Sequence, residues 1–390
     1  MKTLKNINID NKRVIIRCDF NVPIKDGKIV DDTRIQRALP TINYCLDHNC
    51  KVILLSHLGR VKEEKDLEKN NIEPVAKRLS KLLKKDILFS EKTRGKELEA
   101  VCESLQAKDI LLIQNTRYED LNGKKESGND QELAKYWASL GEVFINDAFG
   151  TIHRAHASNV GIANYLDSAC GFLVEKELNA LSILDNPPHP FIVILGGAKV
   201  SDKIGVIENL VNKADKIIIG GAMAFTFLKA EGNNIGKSLL DEESIDFCKE
   251  VLKTYKDKII LPVDFAVTNE YTNDEEYREK DIDSISDDEM GLDIGKKTLE
   301  LFKENVKGAS LVIWNGPLGV YEFDKYKKNT DKLLKYLVEN DIKTILGGGD
   351  IVAAATNANL SEKVYHASTG GGATLEYLEG KKLPGLEAIR

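Results

Sequence analysis

Short runs of apolar, often β-branched residues alternate with longer amphipathic stretches along most of the chain. The amphipathic stretches, such as EPVAKRLSKLLKKD and ESIDFCKEVLKTYKDK, have the periodicity of helices. Strands that are apolar on both faces and alternate with helices predict parallel sheets that helices cover on both sides, which is an α/β fold. The nine strand candidates are RVIIRC, KVILLS, ILLIQ, EVFIND, FIVILGG, KIIIGG, KIILPVD, SLVIWNG and KTILGGGD.

Nine strands are many for one sheet, and a length of 390 residues favours two α/β domains. The boundary is predicted near residues 175–190, where EKELNALSILDNPPHP joins a helical pattern to a proline-rich stop. The acidic segment DEEYREKDIDSISDDE is predicted to be a solvated loop with room for a small β-excursion.

The composition is that of an ordinary globular protein, with 42% hydrophobic and 30% charged residues. The formal net charge of -7 argues against binding to nucleic acid or anionic membranes through overall charge. Six scattered cysteines without metal-ligand spacing predict reduced, mostly buried thiols. The polar N-terminus and the lack of a long apolar run predict a cytoplasmic protein without a membrane partner. No apolar surface seam is obvious, which favours a monomer.

Basic side chains follow the strands of the N-terminal half, where functional loops of such sheets lie. Guanidinium groups bind carboxylates and phosphates through paired hydrogen bonds, so these residues together predict an anion site if the fold brings them together. Asp19 and Asn21 also follow a strand, although an Asx turn before Pro23 would explain them equally. The basic residues are Arg17, Arg34, His57, Arg60, Arg117, His153 and Arg154. Structural roles are assigned to His48, His156, His189 and His366.

The C-terminal half has three glycine turns before predicted helices: GGAKVSDK, GGGDIVAA and ASTGGGATLE. Such turns present backbone N–H groups to an anion, and three of them favour nucleotide phosphates. Lys199 and Lys203 are four residues apart, so we expect them on one helix face near its N-terminus. Asp350 is either a helix N-cap or a contact to magnesium and phosphate. GNNIGKS resembles a Walker A loop, but it has one residue too few between its glycines and is predicted to be a surface loop after a helix.

The chain resembles the phosphoglycerate kinase family from Arg13 to the LPG segment near the C-terminus. The segments that carry the resemblance occur in the family's order: RVIIRCDFNVP, SHLGR, DAFGTIHRAHAS, GGAKVSDKI, VIWNGPLGVYEF, GGGD and STGGGA. The resemblance implies two Rossmann-like domains with parallel sheets, joined by an interdomain helix and a hinge. The N-terminal domain would span residues 1–174, with residues 376–390 returning to pack on it. Residues 175–186 would form the helix and residues 187–375 the C-terminal domain.

The implied reaction is reversible phosphoryl transfer from 1,3-bisphosphoglycerate to MgADP, which gives 3-phosphoglycerate and ATP. Mg2+ is the implied cofactor and binds with ATP or ADP. The N-terminal domain would bind the triose through Asp19, Asn21, Arg34, His57, Arg60, Arg117, His153 and Arg154. The C-terminal domain would bind the nucleotide through Gly196, Lys199, Lys203, Gly220, Asn315, Glu322, Gly347, Gly349, Asp350, Ile351 and Gly371.

The resemblance also implies individual roles in a reaction that depends on positioning and charge stabilisation. Lys199 and Arg34 would be the cations on the transferring group, and Lys203 would neutralise nucleotide phosphate. Asp350 would hold Mg2+, and Glu322 would contact the ribose. No catalytic base is required, because the attacking carboxylate or phosphate oxygen is already ionised.

Because the two substrates would bind to separate domains, we expect hinge closure, which would also exclude water from the acyl phosphate. The hinge candidates are Glu175–Asp185 and Ser368–Gly372. Three departures from the family pattern are visible. Ile351 stands where Ser or Thr is usual, and one neutral hydrogen bond is worth about 0.5–1.5 kcal/mol. QNTRYED replaces ENLRF-like text but keeps Arg117, and TIHRAH replaces TAHRAH, a change in packing.

The sequence argues against two other classes of function. A nicotinamide-dependent dehydrogenase needs GxGxxG directly after a strand, and neither GGGDIVAA nor GGAKVSDKIG has that spacing. A two-domain binding or scaffolding protein would explain clefts without catalysis. It would not explain lysines in one half and arginines in the other, both suited to shared phosphates.

Overall fold

The computed structural model describes residues 1–389. Internal contacts divide the chain into two units. The first unit comprises Met1–Asn179 and the segment that begins at Lys382, and the second comprises Ala180–Lys381. Each unit contains a six-stranded parallel sheet with helices between its strands, so the predicted α/β class with parallel sheets is confirmed.

The first unit is built on a parallel sheet. The strands of this unit are β1 (Arg13–Cys18), β2 (Ile24–Lys25), β3 (Lys28–Ile29), β4 (Lys51–Leu55), β5 (Leu88–Ser90), β6 (Ile110–Ile113), β7 (Val143–Asp147) and β8 (Asp167–Cys170). The sheet order is β5-β6-β4-β1-β7-β8, and β2 and β3 form a separate antiparallel hairpin. Successive residues alternate between two hydrophobic layers: Ile15 and Ile53 lie in one, and Ile16 and Leu54 in the other. Both faces of the sheet are therefore covered, as the apolar runs predict.

Helices connect these strands. They are α1 (Thr33–Asp47), α2 (Lys65–Lys69), α3 (Glu73–Leu83), α4 (Lys96–Ser104), α5 (Gln131–Ser139) and α6 (Phe172–Leu181). The helix predicted over residues 175–186 thus begins earlier, at Phe172, and its last turn is a 3-10 helix, Ser182–Asp185. The start of α6 is fixed from two elements, because Thr41 Oγ1 accepts the N–H of Phe172 and Asp147 Oδ1 accepts the N–H of Leu173, each at 2.9 Å.

The second unit has a parallel sheet and a smaller antiparallel one. Its strands are β9 (Phe191–Leu195), β10 (Lys216–Ile219), β11 (Ile259–Ile260), β12 (Asp264–Thr268), β13 (Arg278–Asp281), β14 (Met290–Ile294), β15 (Leu311–Asn315), β16 (Thr344–Leu346) and β17 (His366–Ala367). The parallel sheet has the order β11-β10-β9-β15-β16-β17, and the antiparallel sheet has the order β13-β12-β14.

The helices of the second unit are α7 (Ile204–Leu210), α8 (Met223–Ala230), α9 (Ile245–Tyr255), α10 (Lys296–Val306), α11 (Lys328–Glu339), α12 (Gly349–Asn357) and α13 (Gly372–Leu378). The segment after Lys382 contains α14 (Pro384–Glu387), where the N–H of Gly385 donates to Ile152 O of the first unit at 2.8 Å. Further short turns are the 3-10 helices Leu4–Asn6, Thr116–Asp120, Phe149–Thr151, Glu242–Ser244 and Ile282–Ser284 and the π-helical turn Ala157–Gly161.

All nine predicted strands are confirmed, although KIILPVD is divided between β11 and β12. The acidic segment contains the predicted β-excursion as β13. GNNIGKS is a loop after α8 with no strand before it, as predicted, but it is more than surface, because Ile235 and Ser238 are buried. The six cysteines are free and buried, as expected. Within residues 1–389, no helix combines the length and the apolar character that a membrane span requires.

Candidate functional site

A buried arginine at the end of β1 joins several groups of the first unit. Arg17 is completely buried, its Nε donates to Ser158 Oγ at 2.7 Å, and its Nη2 lies 3.4 Å from His57 Nδ1. Glu126 Oε1 lies 3.9 Å from the same Nη2 and accepts the hydroxyl of Ser158. Burial lowers the pKa of Arg17 and the charge of Glu126 opposes that change. A guanidinium stays protonated in proteins, so a positive charge lies beneath this strand end.

Asp19, Arg34 and His57 form the next group. Asp19 Oδ2 lies 2.5 Å from Arg34 Nη1. Burial raises the pKa of Asp19, but Arg34, His57 and Arg17 outweigh it, and the net pKa is below the usual value. Burial lowers the pKa of His57 to about 3, which Asp19 opposes and Arg17 reinforces. At neutral pH the aspartate is therefore ionised and the imidazole is neutral.

The loop after β4 is fixed at Gly59. Asn21 Oδ1 accepts the N–H of Gly59 at 2.8 Å. Gly59 has a φ of +60°, and a Cβ there would lie 2.3 Å from Asn70 Oδ1, so this position requires glycine. Asn70 Nδ2 in turn donates to the backbone oxygen of Arg60 at 3.0 Å. These bonds fix the backbone of Arg60 while its side chain remains exposed.

Asn115 connects this loop to the end of β6, and the sequence reasoning missed it. Its Oδ1 accepts the N–H of Leu58 at 3.1 Å and that of Arg117 at 3.0 Å. Arg117 is 9% exposed, and its Nη1 donates to Asp120 Oδ2 at 2.7 Å. The Nε of Arg117 is buried without a partner among residues 1–389, so it has a donor to offer to an anion.

His153 and Arg154 follow β7. Arg154 Nε donates to His153 Nε2 at 3.0 Å, and burial lowers the pKa of His153 to about 4, with Arg154 adding to the effect. His156 is buried, and burial lowers its pKa to about 2, with Arg117 and Arg17 adding to it. The predicted structural role of His156 agrees with its burial, whereas His57 and His153 contribute to the basic patch as neutral groups. Burial keeps them neutral, and the arginines supply the charge.

The fold brings most of the predicted basic residues of this unit together. The charges of Arg17, Arg34 and Arg117 all act on His57, and Arg154 acts with Arg117 on His156. Arg60 is not among these mutual interactions and lies on the exposed part of the Gly59 loop. Guanidinium groups beside one ionised aspartate and neutral imidazoles could hold a small, multiply charged anion.

At two strand ends of the second unit, Gly196 and Gly220 lie so close to a neighbouring loop that a side chain would not fit. A Cβ at Gly196 would lie 2.1 Å from Pro317 O, and one at Gly220 would lie 2.5 Å from Leu318 Cδ2. The N–H of Gly196 also donates to Asn315 O at 2.8 Å. The predicted glycines at these turns are therefore required by close contact of neighbouring loops.

The expected placement of the two lysines is wrong in one respect. Helix α7 begins at Ile204 and Lys203 precedes it, so Lys199 lies in the loop and not on a shared helix face. Lys199 is exposed, whereas Lys203 is half-buried. Burial lowers the pKa of Lys203, and the charges of Asp202 and Asp350 oppose this effect. The fold thus brings Lys203 near Asp350 from a different glycine turn.

Asp350 lies in the first turn of α12, which Gly348 precedes with a φ of +108°. No N-cap hydrogen bond is made there, so capping does not explain the aspartate, and its side chain is exposed. Asn315 Nδ2 donates to Gly347 O at 2.5 Å and fixes the start of this turn. A Cβ at Gly349 would meet open space, so the backbone at the helix start is accessible.

Two further predicted positions differ in character. Gly371 precedes α13 with a φ of +53°, and a Cβ there would also meet open space. Ile351 is completely buried in the hydrophobic core of this unit, together with Trp314 and Leu346. Only the backbone of Ile351 can therefore face a ligand. A Ser or Thr side chain at this position would have to turn out of the core before its hydroxyl could reach a ligand.

A cavity of about 410 Å³ lies beside these turns in the second unit. Its apolar part was missed by the sequence reasoning because its residues come from segments far apart in the chain. The rings of Phe225 and Phe265 lie 4.4 Å apart, centroid to centroid. Predicted residues Glu322 and Asp350 line the cavity. The other lining residues that matter here are Gly197, Gly221, Phe225, Lys237, Leu239, Phe265, Met290, Pro317, Leu318 and Val320. An apolar wall beside glycine turns suits a planar base attached to phosphates.

The residues present fit a magnesium ion that arrives with a nucleotide. Mg2+ in such sites is held by one or two carboxylates, phosphate oxygens and waters. Asp350 supplies an exposed carboxylate at the cavity. Within residues 1–389 no three His, Cys, Asp or Glu side chains are grouped to hold a metal by themselves. A shared site with substrate phosphates is the arrangement that this donor set suits.

Comparison with known proteins gives a consistent result. The sequence model described as phosphoglycerate kinase matches residues 4–381. The phosphoglycerate kinase of Macrococcus caseolyticus is 54% identical over 390 residues, which cover 100% of this chain and 98% of the relative. That of Fusobacterium nucleatum is 55% identical over 393 residues, with 100% and 99% covered.

Solved structures agree with the sequence comparison. The phosphoglycerate kinase structure from Coxiella burnetii has a TM-score of 0.89 and 40% identity, with 99% of this chain and 98% of that one covered. The structure from Pyrococcus horikoshii has a TM-score of 0.86 and 31% identity, with 100% and 98% covered. The resemblance read from the motifs is confirmed over the whole chain, and the chain belongs to the phosphoglycerate kinase family.

Proposed function

We propose that the arginine cluster of the first unit binds the triose substrate and that the glycine turns and cavity of the second unit bind the magnesium nucleotide. As a member of its family, the chain is a kinase that transfers a phosphoryl group reversibly between 1,3-bisphosphoglycerate and ADP. The proposal assigns the two substrates to the predicted domains, residues 1–174 with 376–390 and residues 187–375.

The observation that carries the proposal for the triose is a set of contacts: Arg34 lies 2.5 Å from Asp19, Arg17 lies 3.4 Å from His57, and the Nε of Arg117 is buried without a partner in the described part of the chain. Asp19 and Asn21 belong to the same strand end and suit the triose hydroxyl and carboxyl groups. Because the imidazole of His57 is neutral, it can donate or accept one hydrogen bond without repelling the arginines. The remaining triose contacts are proposed for Arg60, His153 and Arg154.

For the nucleotide, the apolar wall of the cavity receives the base, and Glu322 at its edge contacts the ribose. Lys203 neutralises nucleotide phosphate, and Asp350 holds Mg2+ together with phosphate oxygens. The first turns of α12 and α13 offer backbone N–H groups. The bound metal would offset phosphate charge, and the residues of the protein would position the nucleotide.

Lys199 and Arg34 are proposed to stabilise the charge of the transferring phosphoryl group. The attacking carboxylate or phosphate oxygen is already negatively charged, so no side chain has to remove a proton from it. Since each substrate is assigned to its own domain, the reaction requires closure, for which residues 175–185 and 368–372 are the proposed hinges. A cytoplasmic, monomeric enzyme is part of the same proposal.

The test is a coupled assay from 3-phosphoglycerate and MgATP, with acyl phosphate reduced by glyceraldehyde-phosphate dehydrogenase and NADH. We expect turnover that needs both substrates and Mg2+, loss of kcat in Lys199→Met with triose affinity unchanged, and normal turnover in Lys253→Met. Lys253 is exposed on α9 and controls for the loss of a lysine charge. Ligand binding without turnover in the wild-type protein would instead favour a binding protein, and full activity of Lys199→Met would refute its catalytic role.

A further inference from the structure

The loop that carries Lys199 is attached to Asp241, a residue outside every motif discussed above. Asp241 Oδ2 accepts the backbone N–H of Ser201 at 2.9 Å and the hydroxyl of Ser244 at 3.1 Å. The N–H of Asp241 donates to Thr226 Oγ1 at 3.1 Å. Ser244 and Thr226 are buried at 2% and 0% exposure, so the carboxylate is anchored to the body of the unit.

The charge of Asp241 also acts on this loop. The bond from the Ser201 N–H lowers the pKa of Asp241, burial opposes it, and the ammonium of Lys199 lowers it further. Asp241 is therefore ionised at neutral pH, and the charge of Lys199 favours that ionised state.

Between its two ends the loop is also held by Val200, whose side chain is completely buried. At one end the N–H of Gly197 donates to Pro317 O at 3.0 Å, and at the other the N–H of Lys203 donates to Val200 O at 2.8 Å. Lys199 and Ser201 are both exposed. The bond from Ser201 to Asp241 therefore fixes the backbone two residues from Lys199.

The segment that contains Asp241 also forms part of the cavity. Lys237 and Leu239 line the cavity, and Asp241 follows two residues later. The N–H of Lys237 donates to Glu289 O at 2.7 Å, which fixes this segment to the residue before β14. One short, anchored segment thus contacts the cavity and the Lys199 loop.

We propose that Asp241 is a positioning residue for Lys199: its carboxylate accepts the Ser201 N–H, fixes the loop and so places the ammonium for the substrate phosphate. Asp241 touches no reacting atom and acts through Lys199. The inference rests on the proposed role of Lys199 in phosphoryl transfer.

The experiment compares Asp241→Ala and Asp241→Asn with wild type in the coupled assay, with Asp246→Asn as the charge control. Asp246 has a side chain that is 94% exposed. We expect Asp241→Ala to lower kcat about tenfold or more, because small displacements of a catalytic group are costly, while KM for 3-phosphoglycerate stays unchanged. Asp241→Asn keeps an oxygen acceptor for Ser201 and should recover part of that loss. Asp246→Asn should match wild type.

Two measurements distinguish a positioning role of Asp241 from a purely structural one: thermal unfolding of Asp241→Ala, and the kcat of the double variant Asp241→Ala, Lys199→Met. If Asp241 acts through Lys199, adding Asp241→Ala to Lys199→Met causes no further loss of kcat. Wild-type kcat in Asp241→Ala, or a loss in kcat that continues in the Lys199→Met background, overturns the inference. Full activity of Lys199→Met alone refutes the proposed function instead, so the two failures are separable.

Discussion

The guanidinium of Arg17 and the carboxylate of Glu126 lie 3.9 Å apart, and neither side chain has any exposure to solvent. The hydroxyl of Ser158 accepts a hydrogen bond from Arg17 and donates one to Glu126. The N–H of Ser158 also donates to Glu126, at 2.9 Å. The three residues come from different parts of the first unit. Their network supports the strand end from which Asp19 extends, so it belongs to the foundation of the proposed triose site.

Removing one partner of this buried pair should destabilise the protein strongly. Glu126→Ala leaves an uncompensated buried guanidinium, which costs about 3–5 kcal/mol. Urea unfolding of the variant measures this loss. The control is Glu132→Ala in the exposed first turn of α5, where we expect a change within about 0.5 kcal/mol. Equal stability of both variants would contradict the role of Glu126.

The neutral state of His57 has a consequence for stability at low pH. Its folded pKa is about 3, whereas an unfolded histidine titrates near about 6.5. Between these values the unfolded chain binds the proton and the folded chain does not, so the free energy of unfolding falls as the pH is lowered. The contribution of His57 approaches about 1.4 kcal/mol per pH unit.

Unfolding curves from pH 7 to pH 4.5 test this expectation against His57→Gln. The variant lacks the titrating group, so its stability should fall less steeply with acid. The ring resonances of His57 in the free protein should also show no protonation over this range. A midpoint near 6.5 would contradict the account, because it would mean that the imidazole is solvated.

Asp147 is expected to have the opposite pH dependence. Burial raises its pKa to about 7, and its bonds to Thr41 and the N–H groups of Leu173 and Val174 only partly offset this effect. The folded state therefore retains a proton that the unfolded state loses near about 3.9, and stability falls as the pH rises toward 7. Asp147→Asn keeps an acceptor for α6 and should remove this dependence.

The bond from the Leu173 N–H to Asp147 caps the start of α6, and Asp147→Ala removes it. We expect a loss of about 0.5–2 kcal/mol in unfolding free energy from the missing cap, in addition to any cavity effect. Hydrogen exchange of the first amides of α6 should increase in Asp147→Ala and remain slow in Asp147→Asn. Unchanged exchange in the alanine variant would show that Thr41 alone is sufficient.

The family's usual hydroxyl at position 351 should not be beneficial in this chain. Ile351→Thr buries a hydroxyl in the core and removes apolar volume, which costs about 1–3 kcal/mol. Ile351→Val, the matched control for lost volume, should cost about 0.5–1.5 kcal/mol. Affinity for MgADP should be unchanged in both. A gain in affinity for the threonine variant would show that its side chain turns from the core to the phosphate.

Much of the fold was predictable because β-branched runs and glycine turns are local signals. The missed strands β5, β8 and β17 are short strands at the edges of their sheets. Leu88–Ser90 and Asp167–Cys170 also include polar residues that interrupt an apolar pattern. The antiparallel strand β14 is likewise a mixed sequence, MGLDI. Its strand character depends on pairing with Phe265 and its neighbours rather than on local preference.

For the site, the sequence gives residue types but not distances or protonation states. The arginines of the first unit were predicted, but the neutrality of His57 depends on burial, which no local motif specifies. The start of α7 after Lys203 separates two lysines whose spacing had indicated one helix face. The pairing of Phe225 with Phe265 arises from residues forty positions apart, and no spacing rule connects them.

Calorimetric titration of 3-phosphoglycerate and of MgADP tests most directly whether the two proposed anion sites bind different substrates. Arg60→Gln changes an exposed side chain of the first unit, and Lys203→Gln changes the half-buried lysine of the second. A charged hydrogen bond is worth about 1.5–3 kcal/mol, so each variant should weaken its own ligand by about tenfold or more. We predict that Arg60→Gln weakens only 3-phosphoglycerate and Lys203→Gln only MgADP. Loss of both ligands in either variant, or the reverse pairing, would contradict the assignment.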